Sequence, residues 1–229
     1  MDRILNIGEG AAFDKVVLLG QIPEGIRTFT DILCESPARH IVLEKDARLN
    51  LVYIMLPGSS SDLSIELDLA GEGAESFISG IYLCGGDDRI SIAMDVRHNV
   101  PHCTSRQLFK GLVTGNARAQ FYGKITVEQD AQKTEAYQEN HSILLSDAAR
   151  VDTKPQLEIY ADDVKCSHGA TIGRLNEEEQ FYMRSRGIPE QEAKVLQMFS
   201  FLSPVLSFVK DAGLKEQVTD IVDKVVRTL

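Results

Sequence analysis

Four short runs recur through the middle of the chain at a spacing of about thirty residues, and that repeat restricts the fold more than any other feature. Gly80-Ile81-Tyr82-Leu83, Gly111-Leu112-Val113, His141-Ser142-Ile143-Leu144 and Gly169-Ala170-Thr171-Ile172 look equivalent, with starts at 80, 111, 141 and 169. Around them apolar residues fall at every second position. Leu63, Ile65, Leu67 and Leu69 alternate with Ser64, Glu66 and Asp68, and Ile90, Ile92, Met94 and Val96 with Ser91, Ala93 and Asp95. Ala117, Ala119, Phe121, Ile125 and Val127 continue the pattern, as do Leu49, Leu51 and Tyr53 upstream. Side chains two apart in a strand share a face, so these are strands with one face buried and one wet. A long repeat carrying two or more strands fits coils stacked as a β-solenoid. The alternation alone also fits a two-sheet sandwich. Toward the start the pattern is mixed: Ile41-Val42-Leu43 reads as a short strand, and Ile22-Pro23-Glu24-Gly25 and Ser36-Pro37 punctuate apolar runs.

The period changes after Leu175. Asn176 is a candidate N-cap with Glu179 as its capping-box partner, Glu177 and Glu178 suit the positive end of the dipole, and Arg184 and Arg186 the negative end. Gly187 suits the C′ position, and Pro189 the first turn of a further helix. Leu196, Phe199 and Leu202 share a side, Pro204 breaks or kinks that run, and Val218, Ile221, Val222, Val225 and Leu229 recur at helical spacing. The chain therefore divides into a β core over 1–175 and a helical segment over 176–229. The helices are expected to cap the open end of the solenoid, which would otherwise expose strand edges.

A formal net charge of −10 argues against a nucleic-acid surface. No apolar run approaches the roughly 20 residues of a membrane-spanning helix, and the start lacks the basic and apolar regions of a signal peptide. Cys34, Cys84, Cys103 and Cys166 are widely spaced with no CxxC, which is neither a disulfide framework nor a zinc ribbon, so a cytoplasmic location is the default. There is no P-loop and no G-x-S-x-G, so the chain reads as a non-enzyme that does not itself hydrolyse ATP. Gly85-Gly86-Asp87-Asp88 is a turn rather than a phosphate loop. His98 and His102 are separated by Pro101, which denies them a helical face and favours a loop over a metal pair, and Asp162 and Asp163 suit a turn.

One pair of side chains stands out. Cys166 and His168 are two apart in the strand-like Val164-Lys165-Cys166-Ser167-His168, and so share a face with Ser167 opposite. They could be two metal ligands, or a thiolate beside its base. They could equally be a buried Cys beside a hydrogen-bonded His, and spacing alone favours that reading.

The residues DDVKCSHGAT (162–171) followed by EEQFYMRSRGIPE (178–190) closely resemble the core of the SufB/SufD family, scaffold proteins of the Suf iron–sulfur cluster assembly machinery. The likeness extends through HNVPHCTSRQLFKG (98–111), FYGKITVEQDAQKTEAYQENHSILLSDAA (121–149) and KPQLEIYADD (154–163), and covers about Leu63 to Phe201. The CSHG form looks like the SufD branch. Members of the family carry a longer N-terminal region, for which this sequence has little room. The resemblance implies a mainly β fold, a right-handed parallel β-helix with a C-terminal α-helical segment. It also implies a SufD-like scaffold subunit that holds a transient iron–sulfur cluster. Its partners would be a SufB-type subunit, or a second copy of itself as a homodimer, and a SufC-type ABC ATPase docked on the C-terminal helices. Cys166 and His168 would be the cluster or iron contacts at a subunit interface, His168 the stronger of the two. Two other classes stand beside this one: a truncated interaction paralogue that dimerises and binds the ATPase without cluster chemistry, and a cysteine enzyme using Cys166 with His168 as base.

Overall fold

A computed structural model describes residues 4–20, 32–33, 38–58 and 61–229. Ile22-Pro23-Glu24-Gly25, Cys34 and Ser36-Pro37 lie outside the described residues. The strands are β1 (Ile4–Ile7), β2 (Ala12–Leu19), β3 (Ile32–Leu33), β4 (His40–Leu43), β5 (Arg48–Met55), β6 (Ser61–Leu69) and β7 (Glu75–Cys84), then β8 (Arg89–His98), β9 (Thr104–Val113), β10 (Arg118–Val127), β11 (Glu135–Leu144), β12 (Arg150–Ile159) and β13 (Lys165–Gly173). The helices α1 (Glu177–Ser185), α2 (Glu190–Leu206) and α3 (Ala212–Val226) follow.

From β4 onward the chain alternates between two sheets, one ordered β1-β4-β6-β8-β10-β12 and the other β13-β11-β9-β7-β5-β2-β3. Every pairing is parallel, so the chain winds as a solenoid whose successive coils add one strand to each sheet. A sandwich of hairpins would have paired its strands antiparallel.

The corners repeat as faithfully as the strands. Gly10 (φ 65°), Asp46 (φ 54°), Gly73 (φ 76°), His102 (φ 61°) and Lys133 (φ 61°) all adopt the left-handed conformation two residues before a strand of the seven-stranded sheet. From the second of these corners onward the next residue is small and fully buried: Ala47, Ala74, Cys103 and Thr134. This repeat accounts for His102 and Cys103. They are corner residues, and the Cys103 Sγ–H donates to the Gly71 carbonyl at 3.4 Å.

Inward-facing residues of the two sheets fill the space between them, with Phe109 and Phe121 in contact across it at a centroid separation of 5.3 Å. Strand-to-strand register differs from the alignment that the glycines suggest. Gly80 lies beside Phe109, and Gly111 beside Tyr82. Each glycine makes room for its neighbour's ring: a Cβ on Gly111 would lie 1.8 Å from Tyr82 Cε2, and one on Gly80 2.5 Å from Phe109 Cε1. Gly80 and Gly111 are not stacked equivalents; each accommodates a ring on the neighbouring strand.

The helices occupy a different place from the one expected. α2 and α3 lie against the outer face of the seven-stranded sheet, where Val195, Leu202, Val205, Val218 and Ile221 bury Val52, Ile54, Ile81, Leu83 and Leu112. They do not close the end of the solenoid, and this sheet is covered on both faces around β5 and β7 instead of having one wet face. The link between α2 and α3 is tied to the sheet by Asn50, whose Nδ2–H donates to the Phe208 carbonyl at 3.0 Å and to Asp14 at 2.7 Å. Pro204 does not break α2, which continues to Leu206. Pro204 cannot donate to the Ser200 carbonyl four residues back, and the Ser203 hydroxyl donates there instead at 2.9 Å. Asn176 caps α1 as expected, accepting from the Glu178 and Glu179 amides. The Glu179 side chain turns away from the cap and accepts from Gln197 at 2.7 Å.

Candidate functional site

β12 and β13 are the last strands of their sheets, each hydrogen-bonded on one side only. Their free edges present unpaired backbone N–H and C=O groups at the end of the solenoid. Cys166 and His168 lie on β13, in register with Ala136 and Gln138 of β11. Ala136, Gln138, Asn140 and Ser142 are the inward-facing, buried residues of β11, so Cys166, His168, Ala170 and Ile172 carry the same inner face into the final coil. Among the described residues no further coil covers them. Inward position and solvent access therefore coincide here.

The two side chains differ within that setting. Cys166 is half-buried against the interior cluster, and burial pushes its thiol pKa up while the Ala136 amide partly offsets this. That is the reverse of an activated thiolate. His168 is exposed, and among the described residues nothing hydrogen-bonds or ion-pairs with its ring. Two residues apart on one strand face, the side chains stem from points roughly 6–7 Å apart. Among the described residues no group of three or more His, Cys, Asp or Glu is arranged to hold a metal.

The remaining candidates have structural roles. His98 closes β8 in the interior; its Nε2 shares a hydrogen bond with the Ser105 hydroxyl at 2.8 Å, and burial lowers its pKa to about 4. It is a strand residue rather than the loop residue expected. Cys84 is fully buried with its thiol pushed up to about 12 by burial and the nearby Asp88 carboxylate. Asp88 holds its turn by accepting from the Gly58 and Gly85 amides. Asp163 pairs with Lys133 at a corner.

What the sequence reading missed is a change of character in the interior toward the open end. One column of in-register inward residues runs Ile78, Gln107, Gln138, His168, and another Tyr82, Gly111, Ser142, Ile172. Gln138 Nε2–H donates to Gln107 Oε1 at 2.6 Å. The Tyr82 hydroxyl donates to Asn140 Oδ1 at 3.1 Å and shares a hydrogen bond of 2.6 Å with Ser142. The signal was present in Tyr137-Gln138-Glu139-Asn140-His141, where a strand places polar residues in both phases.

With this geometry in view, the likeness to known proteins can be placed. A family model described as "SUF system FeS cluster assembly, SufBD core domain" matches residues 31–201. The chain belongs to the SufBD family. It is 39% identical over 190 residues to the iron–sulfur cluster assembly protein SufD of Escherichia coli, which covers 80% of the chain and 45% of that protein. It is 36% identical over 171 residues to a SufBD family protein of Synechocystis, covering 75% of the chain and 38% of the relative. Against SufD of Bacillus subtilis the identity is 30% over 160 residues, covering 70% and 37%. The chain thus spans less than half the length of these relatives. The family match ends at Phe201, inside α2, and begins just before β3, so it leaves out β1 and β2 and takes in the coils from β4 to the free edge of β13. No helix among the described residues is long and apolar enough to cross a membrane.

Proposed function

We propose that this chain is a SufD-like scaffold subunit that receives an iron–sulfur cluster, as cargo, at an interface formed by the open end of the solenoid. One observation carries the reading: His168 lies on the inner face of an edge strand, exposed and, among the described residues, without a partner, two residues from Cys166. Two donors cannot complete an iron coordination sphere, so the remaining ligands come from a second subunit. The free edge of β13 supports this, because a partner strand paired there would bring its own side chains beside Cys166 and His168. The partner is a SufB-type subunit, or a second copy of the chain. His168 is the principal contact and Cys166, half-buried with a raised thiol pKa, the secondary one.

The ATPase reading rests on α1, none of whose residues is buried. Phe181 and Tyr182 project from it into solvent, and a groove of about 910 Å³ lies between α1 and α2. A SufC-type ABC ATPase docked there would cover the exposed rings.

The test is anaerobic reconstitution with iron and sulfide, with and without a SufB-type partner. The wild-type pair should load a cluster, and His168→Ala should form the same complex with cluster yield reduced at least about tenfold. Undiminished loading by His168→Ala would overturn the assignment of His168. A complex that forms normally yet never loads a cluster, even in the wild type, would favour the interaction paralogue.

A further inference from the structure

Beneath His168 the structure leaves a buried hydrogen-bond acceptor unused. Gln138 is wholly inaccessible, and among the described residues its Oε1 has no partner. Its amide donates toward the preceding coil, to Gln107 Oε1. Glutamines stacked in register on parallel strands form such ladders, each amide bonding the one below and offering its remaining atom to the one above. The next in-register position above Gln138 is His168. Across the interior the amide lies flat against Gly123: a Cβ there would fall 2.4 Å from both Nε2 and Oε1. The strand residue above Gly123 is Pro155, which has no N–H to give. Of these two neighbours in the final coil, only His168 carries a ring N–H. Asn140 reaches the final coil in the same way, its Nδ2–H donating to Thr153 Oγ1 at 3.1 Å.

We propose that Gln138 is a positioning residue for His168: its free Oε1 accepts one imidazole N–H and so fixes the ring's tautomer and direction. Adjacent strands are about 4.8 Å apart, so rotation of the His168 side chain over the solenoid mouth brings a ring N–H within reach of that oxygen. The other ring nitrogen then faces outward from the end coil with its lone pair free. Metal-binding histidines depend on a bond of this kind, because a ring held through one nitrogen presents the other at a set angle and with greater basicity. The tautomer assignment stands on the geometry alone, while its consequence for iron rests on the function proposed above.

Long-range proton–nitrogen correlation spectra of the apo chain, labelled at histidine and assigned with His168→Ala, read the tautomer directly. The wild-type ring should hold one neutral tautomer. Gln138→Leu should average two tautomers, and Gln138→Glu, which keeps an acceptor, should restore one. A wild-type ring that already averages both tautomers overturns the proposal without any variant, and so does a ring unaffected by Gln138→Leu. Iron loading with the partner then separates the two ideas. A fixed tautomer with loading undiminished in His168→Ala defeats the assignment of His168 as a cluster contact and leaves the hydrogen bond standing. Loading lost in His168→Ala beside a freely averaging wild-type ring defeats the hydrogen bond alone. Where both hold, Gln138→Leu should lower iron affinity by about 10- to 100-fold.

Discussion

Gly111→Ala is the smallest change that tests the packing of the coils. The backbone there is outside the left-handed region, so alanine brings no conformational penalty and the whole effect is steric. The new Cβ would lie 1.8 Å from Tyr82 Cε2 and 2.1 Å from Cζ, where ordinary contact is 3.4–4 Å. The ring must move, and it is fully enclosed, with its hydroxyl bonded to Asn140 and Ser142. Overpacking of this kind costs about 1–3 kcal/mol. Pulling the hydroxyl away from the buried Asn140 acceptor adds about 1–3 kcal/mol. A total near 4 kcal/mol corresponds to a fall in Tm of about 8–16 °C for a chain of this size. Thermal and urea unfolding measure it. In a Tyr82→Leu background the same Gly111→Ala change should cost under about 1 kcal/mol, since the clashing ring is gone. If Gly111→Ala melts within about 2 °C of the wild type, the interlocked glycine–aromatic pairing is wrong.

His98 makes stability depend on pH. Its pKa is about 4 in the fold against 6.5 in the open chain, because burial disfavours the charged ring. Between those values the unfolded chain binds a proton that the folded chain does not, so stability falls as pH drops through that window. The loss is on the order of 3 kcal/mol at full extent, and urea midpoints across the window should show a shallower slope for His98→Gln; equal slopes would refute it. Leu202→Ala, at the centre of the layer between α2 and the sheet, should cost about 2–5 kcal/mol in the same assay. A cost below about 0.5 kcal/mol, the range of surface substitutions, would mean that the helices do not hold that face.

The repeat, the strands and the cap of α1 were legible because each is written in local spacing: period two, a thirty-residue return, and an Asn followed by acidic residues. Register was not. Glycine invites alignment with glycine, yet here each glycine answers an aromatic ring on the next strand, a relation between coils that no local window contains. The place of α2 and α3 also depends on long-range packing, though one clue was local. Leu51-Val52-Tyr53-Ile54-Met55 is continuously apolar, and a strand apolar in both phases is covered on both faces. His168 was found from its motif. Its setting, above a buried amide with an unused oxygen, needed the register that the glycines obscured.

The uncovered final coil also decides how copies of such a molecule can be added to one another. Joined tail to head, with this end on the opposite end of the next molecule, each addition would expose a fresh edge and the array would lengthen without limit. Joined tail to tail about a two-fold axis, the two edges consume each other and growth stops at a pair. The two arrangements also differ in strand direction, because a two-fold turns β13 against its counterpart and makes the new ladder antiparallel in a molecule whose own ladders are all parallel. A single reversal of strand polarity is thus what would separate a finished particle from a fibre.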